Sequence, residues 1–536
     1  MLSLVSFVQE HARVHPERVA VSSGEQVTTY GQLEAASSAV ARYLTAQGLQ
    51  PGDHVALSCP NLPYFPIIYY GILKAGMVVV PLSILFKAHE IAYHLNDSDA
   101  KAYFLFEGSE ALPMGQAGTA AFAEATACEH LVIIPTNPNA ASRAASPIEN
   151  GSSFTELLRE YGGPFEPVLR EADDTAVVLY TSGTTGKPKG AELTQLNMVM
   201  NAIVSSNIVR APGLEAHEQV VLTVLPLFHI FGQTCVMNAM FYLGGQLVLQ
   251  PRFEAESALE LMKRHSVNIF VGVPTMYWGL LGALQTGSAE GLNLRTCVSG
   301  GSPMPVELLR RFEEAFGVDI LEGYGLSETS PVACFNQQGR PRKVGSVGQA
   351  VLGMELRVVD TEENEVAVGE AGEIVIRGHS VMKGYYKRPE DTATAMRGGW
   401  FHTGDVGIRD ADDYFSIVDR IKDLIIRGGY NVYPRDVEEA LIKHPEVSLA
   451  AVVGVPDDAY GEEIKAFVVL QAGSSLTPEA LRDWSKEQLA AYKYPREITF
   501  VESLPLTASG KILRRELRDR ETQGEPSTKV QTSTLA

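Results

Sequence analysis

The apolar run Ala176-Val-Val-Leu179 opens directly into Tyr180-Thr-Ser-Gly-Thr-Thr-Gly-Lys-Pro-Lys-Gly190. That order predicts a buried strand emptying into a flexible polar loop. Glycines expose backbone N–H groups, hydroxyls add donors and lysines add positive charge, and a polyphosphate needs all three. A bare glycine-rich loop is commonly only a turn; the density of donors here, with two lysines, favours phosphate. The same texture runs on to about residue 415, with short Val/Ile/Leu runs alternating with longer helical stretches. Val267-Asn-Ile-Phe-Val-Gly272 follows Glu260-Leu-Met-Lys-Arg264, and Val298-Ser-Gly-Gly-Ser302 follows Leu294-Arg-Thr-Cys297. Such alternation implies an α/β fold of parallel or mixed sheets flanked by helices, with ligands at the strand C-termini.

A Walker loop is excluded. It needs Gly, four residues, then Gly-Lys-Ser/Thr. At Gly186-Lys187 and Gly510-Lys511 the first glycine is replaced by Thr181 and Pro505, and the Ser/Thr by Pro188 and Ile512. His89-Glu-Ile-Ala-Tyr-His94 is no zincin helix, because its histidines stand five apart and point to different faces. No Gly-x-Ser-x-Gly elbow occurs.

The loop resembles the signature of the AMP-forming acyl-adenylating superfamily, which includes acyl-CoA synthetases, peptide-synthetase adenylation domains and firefly-type luciferases. Four further segments match in order: Gly323-Tyr-Gly-Leu-Ser-Glu-Thr329, Trp400-Phe-His-Thr-Gly-Asp405, Arg420-Ile-Lys-Asp-Leu-Ile-Ile-Arg-Gly-Gly-Tyr-Asn431 and Leu506-Thr-Ala-Ser-Gly-Lys511. The likeness spans nearly the whole chain. It implies a large N-terminal domain over 1–421, with mixed sheets and a β-rich part around Ile374-Val-Ile-Arg377 and Tyr414-Phe-Ser-Ile-Val418. A small mobile α/β domain over 422–520 and a disordered polar tail over 521–536 complete the expectation. Residues 107–170, rich in Ala, Gly, Pro and Ser, are expected to include an irregular insertion.

The resemblance also assigns roles. The loop Thr181, Ser182, Gly183, Thr184, Thr185, Gly186 and Lys187 would hold ATP phosphates, joined by Thr329. Gly300, Gly301 and Ser302 would line adenine beside Gly323, Tyr324 and Gly325. Glu328 would carry Mg²⁺, a hard cation suited to carboxylate and phosphate oxygens. Asp405 would accept the ribose hydroxyls and Arg420 would contact the same region. Lys511 matches the catalytic lysine. A lysine after a Ser-Gly turn would otherwise read as a solvated cation, but its charge can hold carboxylate and α-phosphate together during transfer. No general base is required, because a carboxylate already attacks as an anion. Lys422 matches the hinge, and Gly428 and Gly429 match the loop that approaches the thiol of CoA. The implied chemistry has two steps, with the small domain rotating to present Lys511 first and Gly429 second.

The acid is less constrained. His229, in Leu225-Pro-Leu-Phe-His-Ile-Phe-Gly232, would sit at the carboxylate end of an acyl pocket lined by Phe231, Val271, Val273 and Val332. Amino-acid adenylation domains place an aspartate just after the matching histidine; Ile230-Phe231-Gly232 offers no carboxylate. Apolar liners suit an aliphatic tail, bound by burial at about 0.8 kcal/mol per methylene. Some long-chain members carry a gating Trp four residues after the histidine, where Gln233 stands here. The texture is most like bacterial medium- or long-chain fatty acid–CoA ligases. Hydroxycinnamate-type ligases and fatty acyl-AMP ligases loading a carrier protein are the alternatives. A catalytically silent binding protein is disfavoured because Lys511, Glu328 and the loop are all present, and a luciferase-like oxygenase carries no separate signature.

Charge and cysteine use bound the setting. The chain has 536 residues, 45% of them hydrophobic, enough for a large core. A net charge of −20 argues against nucleic acid or an anionic membrane as partner, so ATP and CoA must be captured by local cations. Cys59, Cys128, Cys235, Cys297 and Cys334 form no Cys-x-x-Cys pair and suit small core positions in a reducing cytoplasm. Met1 to Glu10 lacks a basic region and a long apolar core, so it predicts an amphipathic helix and not a signal peptide. The apolar runs 64–86 and 220–250 are broken by Pro and Gly and predict helix–strand and strand–loop–helix–strand segments, not membrane spans. Small-molecule substrates are the expected partners, and a homo-oligomer is compatible with the sequence.

Overall fold

The computed structural model describes residues 3–110, 112–136, 151–181, 187–286, 289–457, 459–471, 473–507 and 510–522. The tail expected over 521–536 therefore lies, from 523 onward, outside the described residues, as do Ser182, Gly183, Thr184, Thr185 and Gly186.

Two large sheets form the body. The apolar run before the glycine loop becomes the strand Thr175–Thr181 and returns antiparallel as Lys189–Thr194. These lie in an 8-stranded sheet whose other members include the parallel strands Val78–Pro81, His54–Ser58, Ala102–Phe106 and His130–Ile134. The second sheet has 9 strands, with Thr296–Ser299 between Ile269–Gly272 and Ile320–Gly325. The parallel strands Ile269–Gly272 and Thr296–Ser299 are buried throughout, which is why they show no polar alternation, whereas Ile320–Gly325 is buried at only half of its positions. Both β-run expectations after residue 350 are met, by Ala371–Gly378 and Phe415–Arg420 in a 5-stranded antiparallel sheet.

Thr194 ends its strand and caps the helix Gln195–Val209 in a reciprocal box with Asn197. Asn197 and Asn201 of that buried helix donate to the carbonyls of Val381 and Val332 at 3.1 and 2.8 Å. One helix thus fixes both the hairpin after Ile320–Gly325 and the segment near residue 380.

After Leu424 the packing is separate. One buried cluster around Val437, Leu441, Val452 and Leu481, and another around Phe467, Leu504 and Leu517, draw only on residues from 425 onward. They cover the faces of another 5-stranded sheet, with Val447–Asp457 paired antiparallel to Gly461–Leu470.

Within 107–170 the described residues hold the helices Met114–Ala123 and Phe154–Glu160 and the strand His130–Ile134, and residues 137–150, where an irregular insertion would fall, lie outside the described residues. The alanine-rich stretch is a strong helix former, and Leu131 to Ile134 adds an apolar strand. The buried helix expected within 220–250 begins as a π-helix, Gly232–Asn238. The first helix, Val5–Val14, and all five buried cysteines fit the sequence reading. Among the described residues no helix is long and apolar enough to cross a membrane.

Candidate active site

Lys511 enters the body on a tight turn. Thr507 N–H donates to Lys511 O at 2.8 Å, Lys511 N–H donates to Thr507 Oγ1 at 3.0 Å, and Gly510 sits at φ +81°. The turn rests on the start of the helix Pro274–Thr286, where the Thr275 hydroxyl donates to Gly510 O at 3.3 Å. Lys511 then shares a cavity with His229, Phe231, Gly301, Tyr324 and Val332. Gly301 is required twice over: its φ is +80°, and a Cβ there would lie 3.2 Å from Lys511 Cε. The free space is about 50 Å³, too little for a chain of many methylenes without movement of the lining.

Burial and the Arg420 charge push the Lys511 ammonium down to about 8, against the pull of Asp405 and Glu328. Burial first, and then Lys511, push His229 down to about 3, so its ring is neutral at working pH. Phe231 N–H donates to His229 Nδ1 at 3.2 Å, which leaves the ring proton on Nε2.

A second corner is built on Asp405. The strands Trp400–Arg409 and Phe415–Arg420 pair so that Asp405 stands opposite Arg420. Arg420 Nε lies 3.0 Å from Asp405 Oδ1, and the buried Tyr324 hydroxyl donates to Oδ2 at 2.5 Å. Burial and the Asp405 charge raise the Tyr324 phenol, so it remains a donor. The aspartate is only 3% exposed and stays compensated by that pair of donors.

The third corner is Glu328, in the single turn Ser327–Thr329. Its Oε1 accepts from Thr181 Oγ1 at 3.2 Å and from the Tyr385 hydroxyl at 3.0 Å. Among the described residues its Oε2 accepts no hydrogen bond. Lys189 is committed to Asp391, whereas Lys187 is exposed and makes no ion pair among the described residues. These hard oxygens fit Mg²⁺, which is commonly held by one or two carboxylates plus substrate phosphates. Among the described residues no group of three or more His, Cys, Asp or Glu could hold a metal ion by itself.

The remaining expected site residues divide between this cavity, which Gly300, Gly323 and Gly325 also line, and other places. The Thr329 hydroxyl is buried in its own turn, accepting from Leu326 N–H at 2.9 Å and bonded to Pro331 O. Gly300 packs against the Phe231 ring, and Ser302 is half-buried beside it. Gly323 and Gly325 line the cavity, but Val271 and Val273 do not; Val273 packs under Gly510 instead. Gly428 and Gly429, at φ +56° and +82°, form the exposed tip between Ile425–Arg427 and Tyr430–Val432, away from the cavity. Lys422 is exposed in the turn Ile421–Asp423.

Two features escaped the sequence reading. Tyr385 touches Glu328 from a strand too short to register as one, although its Gly-Tyr-Tyr setting carries aromatic donors. The π-helix buries Gln233, Thr234 and Asn238 completely. Among the described residues both Gln233 amide atoms and Thr234 Oγ1 have no hydrogen-bond partner.

The buried Asp405 paired with the exposed Arg420, Glu328 bonded to Thr181 and Tyr385, and the inserted Lys511 are the described parts of the candidate site. Residues 8–386 match the AMP-binding enzyme family, and residues 436–511 match the AMP-binding enzyme C-terminal domain. The long-chain-fatty-acid–CoA ligase of Bacillus subtilis (strain 168) is 35% identical over 97% of this chain and 95% of its own. A feruloyl-CoA synthase of Amycolatopsis sp is 36% identical over 96% of this chain and 99% of its own. The crystal structure of the anthranilate CoA ligase AuaEII with anthranoyl-AMP superposes with a TM-score of 0.87 at 30% identity, covering 97% of this chain and 98% of that one. The chain belongs to the AMP-binding enzyme family and is an AMP-forming acyl-CoA synthetase.

Proposed function

We propose that the protein activates a medium- or long-chain fatty acid. The carboxylate oxygen attacks the α-phosphorus of ATP, the α–β bridging bond breaks, and pyrophosphate leaves acyl-AMP behind. The CoA sulfur then attacks the acyl carbon, losing its proton, and AMP departs. The observation that carries the adenylating step is Lys511, beside Gly301 in one cavity with His229 and Phe231, and the likeness to a long-chain-fatty-acid–CoA ligase supports the choice of acid. A preorganised cation there stabilises the negative charge that spreads over the attacked phosphate. Asp405 and Arg420 hold the ribose region, Thr181 and Lys187 meet phosphate, and Glu328 would hold Mg²⁺. Bound there, Mg²⁺ would neutralise phosphate charge. The neutral His229 offers Nε2–H at the carboxylate end without adding a second cation beside Lys511.

Presentation of CoA calls for the small unit, from Lys422 onward, to turn so that Gly428–Gly429 replaces Lys511. The surface around that tip supports CoA as acceptor. Arg427 stacks on Tyr460 at 4.1 Å, and Tyr430 stacks on Tyr492 at 4.9 Å. The exposed Tyr430 and Tyr460 faces suit an adenine ring, while Arg427 is buried and ion-paired with Glu463.

A second reading has its own support. Buried polar atoms are rarely left unpaired, at about 1–3 kcal/mol each. Gln233 follows His229 by one helical turn, with its N–H donating to His229 O at 3.0 Å. An acid bearing a hydroxyl beyond its carboxylate, as a hydroxycinnamate does, would pair such groups. Acid-dependent pyrophosphate release, measured from acetate to oleate with cinnamates included, tests both readings. The fatty-acid reading requires a maximum at medium or long aliphatic chains; a preference for hydroxylated cinnamates replaces it with the second.

A further inference from the structure

The segment that follows Gly378 has no part in the roles argued above, yet it straps both ends of the glycine-rich loop. Gly384–Tyr385 is an edge strand of the 8-stranded sheet, paired antiparallel with Lys189–Thr194 so that Tyr385 stands opposite Ala191. Backbone bonds fasten it on both sides: Lys383 N–H donates to Glu192 O at 2.9 Å and Tyr386 N–H to Gly190 O at 2.8 Å. The next residues grip the helix Ala88–Asp97 and the turn after it. The Tyr386 hydroxyl donates to Asp99 at 2.7 Å, and Arg388 bonds Asp97, which also accepts from the Tyr180 hydroxyl at 2.9 Å. Asp391 holds Lys189. A tyrosine fixed this firmly has little freedom in where it places its hydroxyl.

That hydroxyl lies 3.0 Å from Glu328 Oε1, and the strap also holds the glutamate's backbone, through Met382 N–H to Glu328 O at 2.8 Å. Oε1 therefore carries the bonds from Tyr385 and Thr181, while Oε2 accepts none among the described residues. We infer that Tyr385 is a positioning residue for Mg·ATP: its O–H holds the Glu328 carboxylate in one orientation, with Oε1 tied back and Oε2 left for the metal-bearing phosphates. The inference rests on the reading of Glu328 as the Mg²⁺-side carboxylate. Outer partners that orient a ligating group commonly contribute about 10- to 100-fold in metal affinity or activity.

The test uses full-length protein and four forms: parent, Tyr385→Phe, Tyr386→Phe and Glu328→Gln. Calorimetry gives the ATP dissociation constant with Mg²⁺ and with EDTA, and pyrophosphate release is titrated against free Mg²⁺. In Tyr385→Phe the preference for Mg·ATP over free ATP should shrink about tenfold, with a matching rise in half-saturating Mg²⁺. Thioester formation from supplied acyl-AMP and CoA should stay within about twofold of parent, since no triphosphate takes part. Tyr386→Phe loosens the strap without touching Glu328 and should keep the parental Mg²⁺ preference. The inference is overturned if Tyr385→Phe keeps that preference, or if Tyr386→Phe loses it equally, because the strap and not the hydroxyl would then be responsible. Should Glu328→Gln itself leave Mg²⁺ dependence unchanged, the reading of Glu328 falls and the inference with it. A Glu328→Gln effect without a Tyr385→Phe effect removes the inference alone.

Discussion

The turn that carries Lys511 and the hairpin tip Gly428–Gly429 belong to the same small sheet-and-helix unit, and their surroundings are opposite. Lys511 is wedged against Gly301 with its charge made costly by burial, whereas a Cβ on Gly429 would meet nothing within 4 Å. One unit therefore carries two tools on separate loops, and only one faces the cavity in this arrangement. On the proposed two-position scheme, burial here marks which step the molecule is set for, not which residue matters more.

Removing Lys511 tests the contrast most severely. Lys511→Ala should lower acid-dependent pyrophosphate release by about a hundred- to a thousandfold, the loss of roughly 3–4 kcal/mol of preorganised charge stabilisation. Thioester formation from ready-made acyl-AMP and CoA should persist in quenched assays. Equal loss of both half-reactions in a folded protein would refute the two-position scheme. Gly429→Trp is the mirror case: it should slow thioester formation by about a hundredfold, as misplacement of a reacting group does, and spare adenylation. Because φ there is +82°, Gly429→Ala serves as the control for backbone strain alone. Gly301→Ala should cost adenylation about tenfold, since strain of about 1–2 kcal/mol joins a contact against Lys511 Cε, and should leave the thiol step nearly intact.

The smallest effect is in pH. A lysine pushed down to about 8 is charged below that value and loses its charge as pH rises through it. The kcat/KM for adenylation, which reports the free enzyme, should fall by about half near pH 8 and towards a tenth near pH 9. The thiol step should lack this Lys511-dependent limb. With His229 pushed to about 3, no histidine limb is expected between about pH 5 and 7. An adenylation profile flat to pH 10 would show that Lys511 is not exposed to this desolvation when it acts.

Much of this was legible in the chain because motif residues lie next to one another in sequence. Glu328, Asp405, Arg420 and Lys511 could each be picked out within a contiguous segment, and parallel strands announced themselves as unbroken apolar runs, while Ser182 to Gly186 of the glycine loop lie outside the described residues. What stayed hidden depends on pairing between distant segments. Tyr385 reaches Glu328 only because Gly384–Tyr385 adds to the edge of a strand nearly two hundred residues earlier. The inward turn of the Thr329 hydroxyl follows from the tight turn around Leu326 and Pro331. Val271 and Val273 were sound as buried residues, but side-chain alternation does not say which face of the sheet a pocket adjoins. The π-helix after Phe231 has no period that a search for 3.6 residues per turn would detect.

Gly323 and Gly325 bear on how such motifs are used to sort proteins. An added Cβ at Gly323 would fall 2.0 Å from the Phe335 ring, and one at Gly325 would fall 1.8 Å from Pro331 O. Both glycines are needed to close the hairpin whether or not a nucleotide ever binds. A descendant that had lost catalysis would still keep the Gly-Tyr-Gly spelling in order to fold, so those letters are poor witnesses to activity. Glu328 and Lys511, which no packing constraint of this kind protects, are the positions at which a retired enzyme would first show its loss.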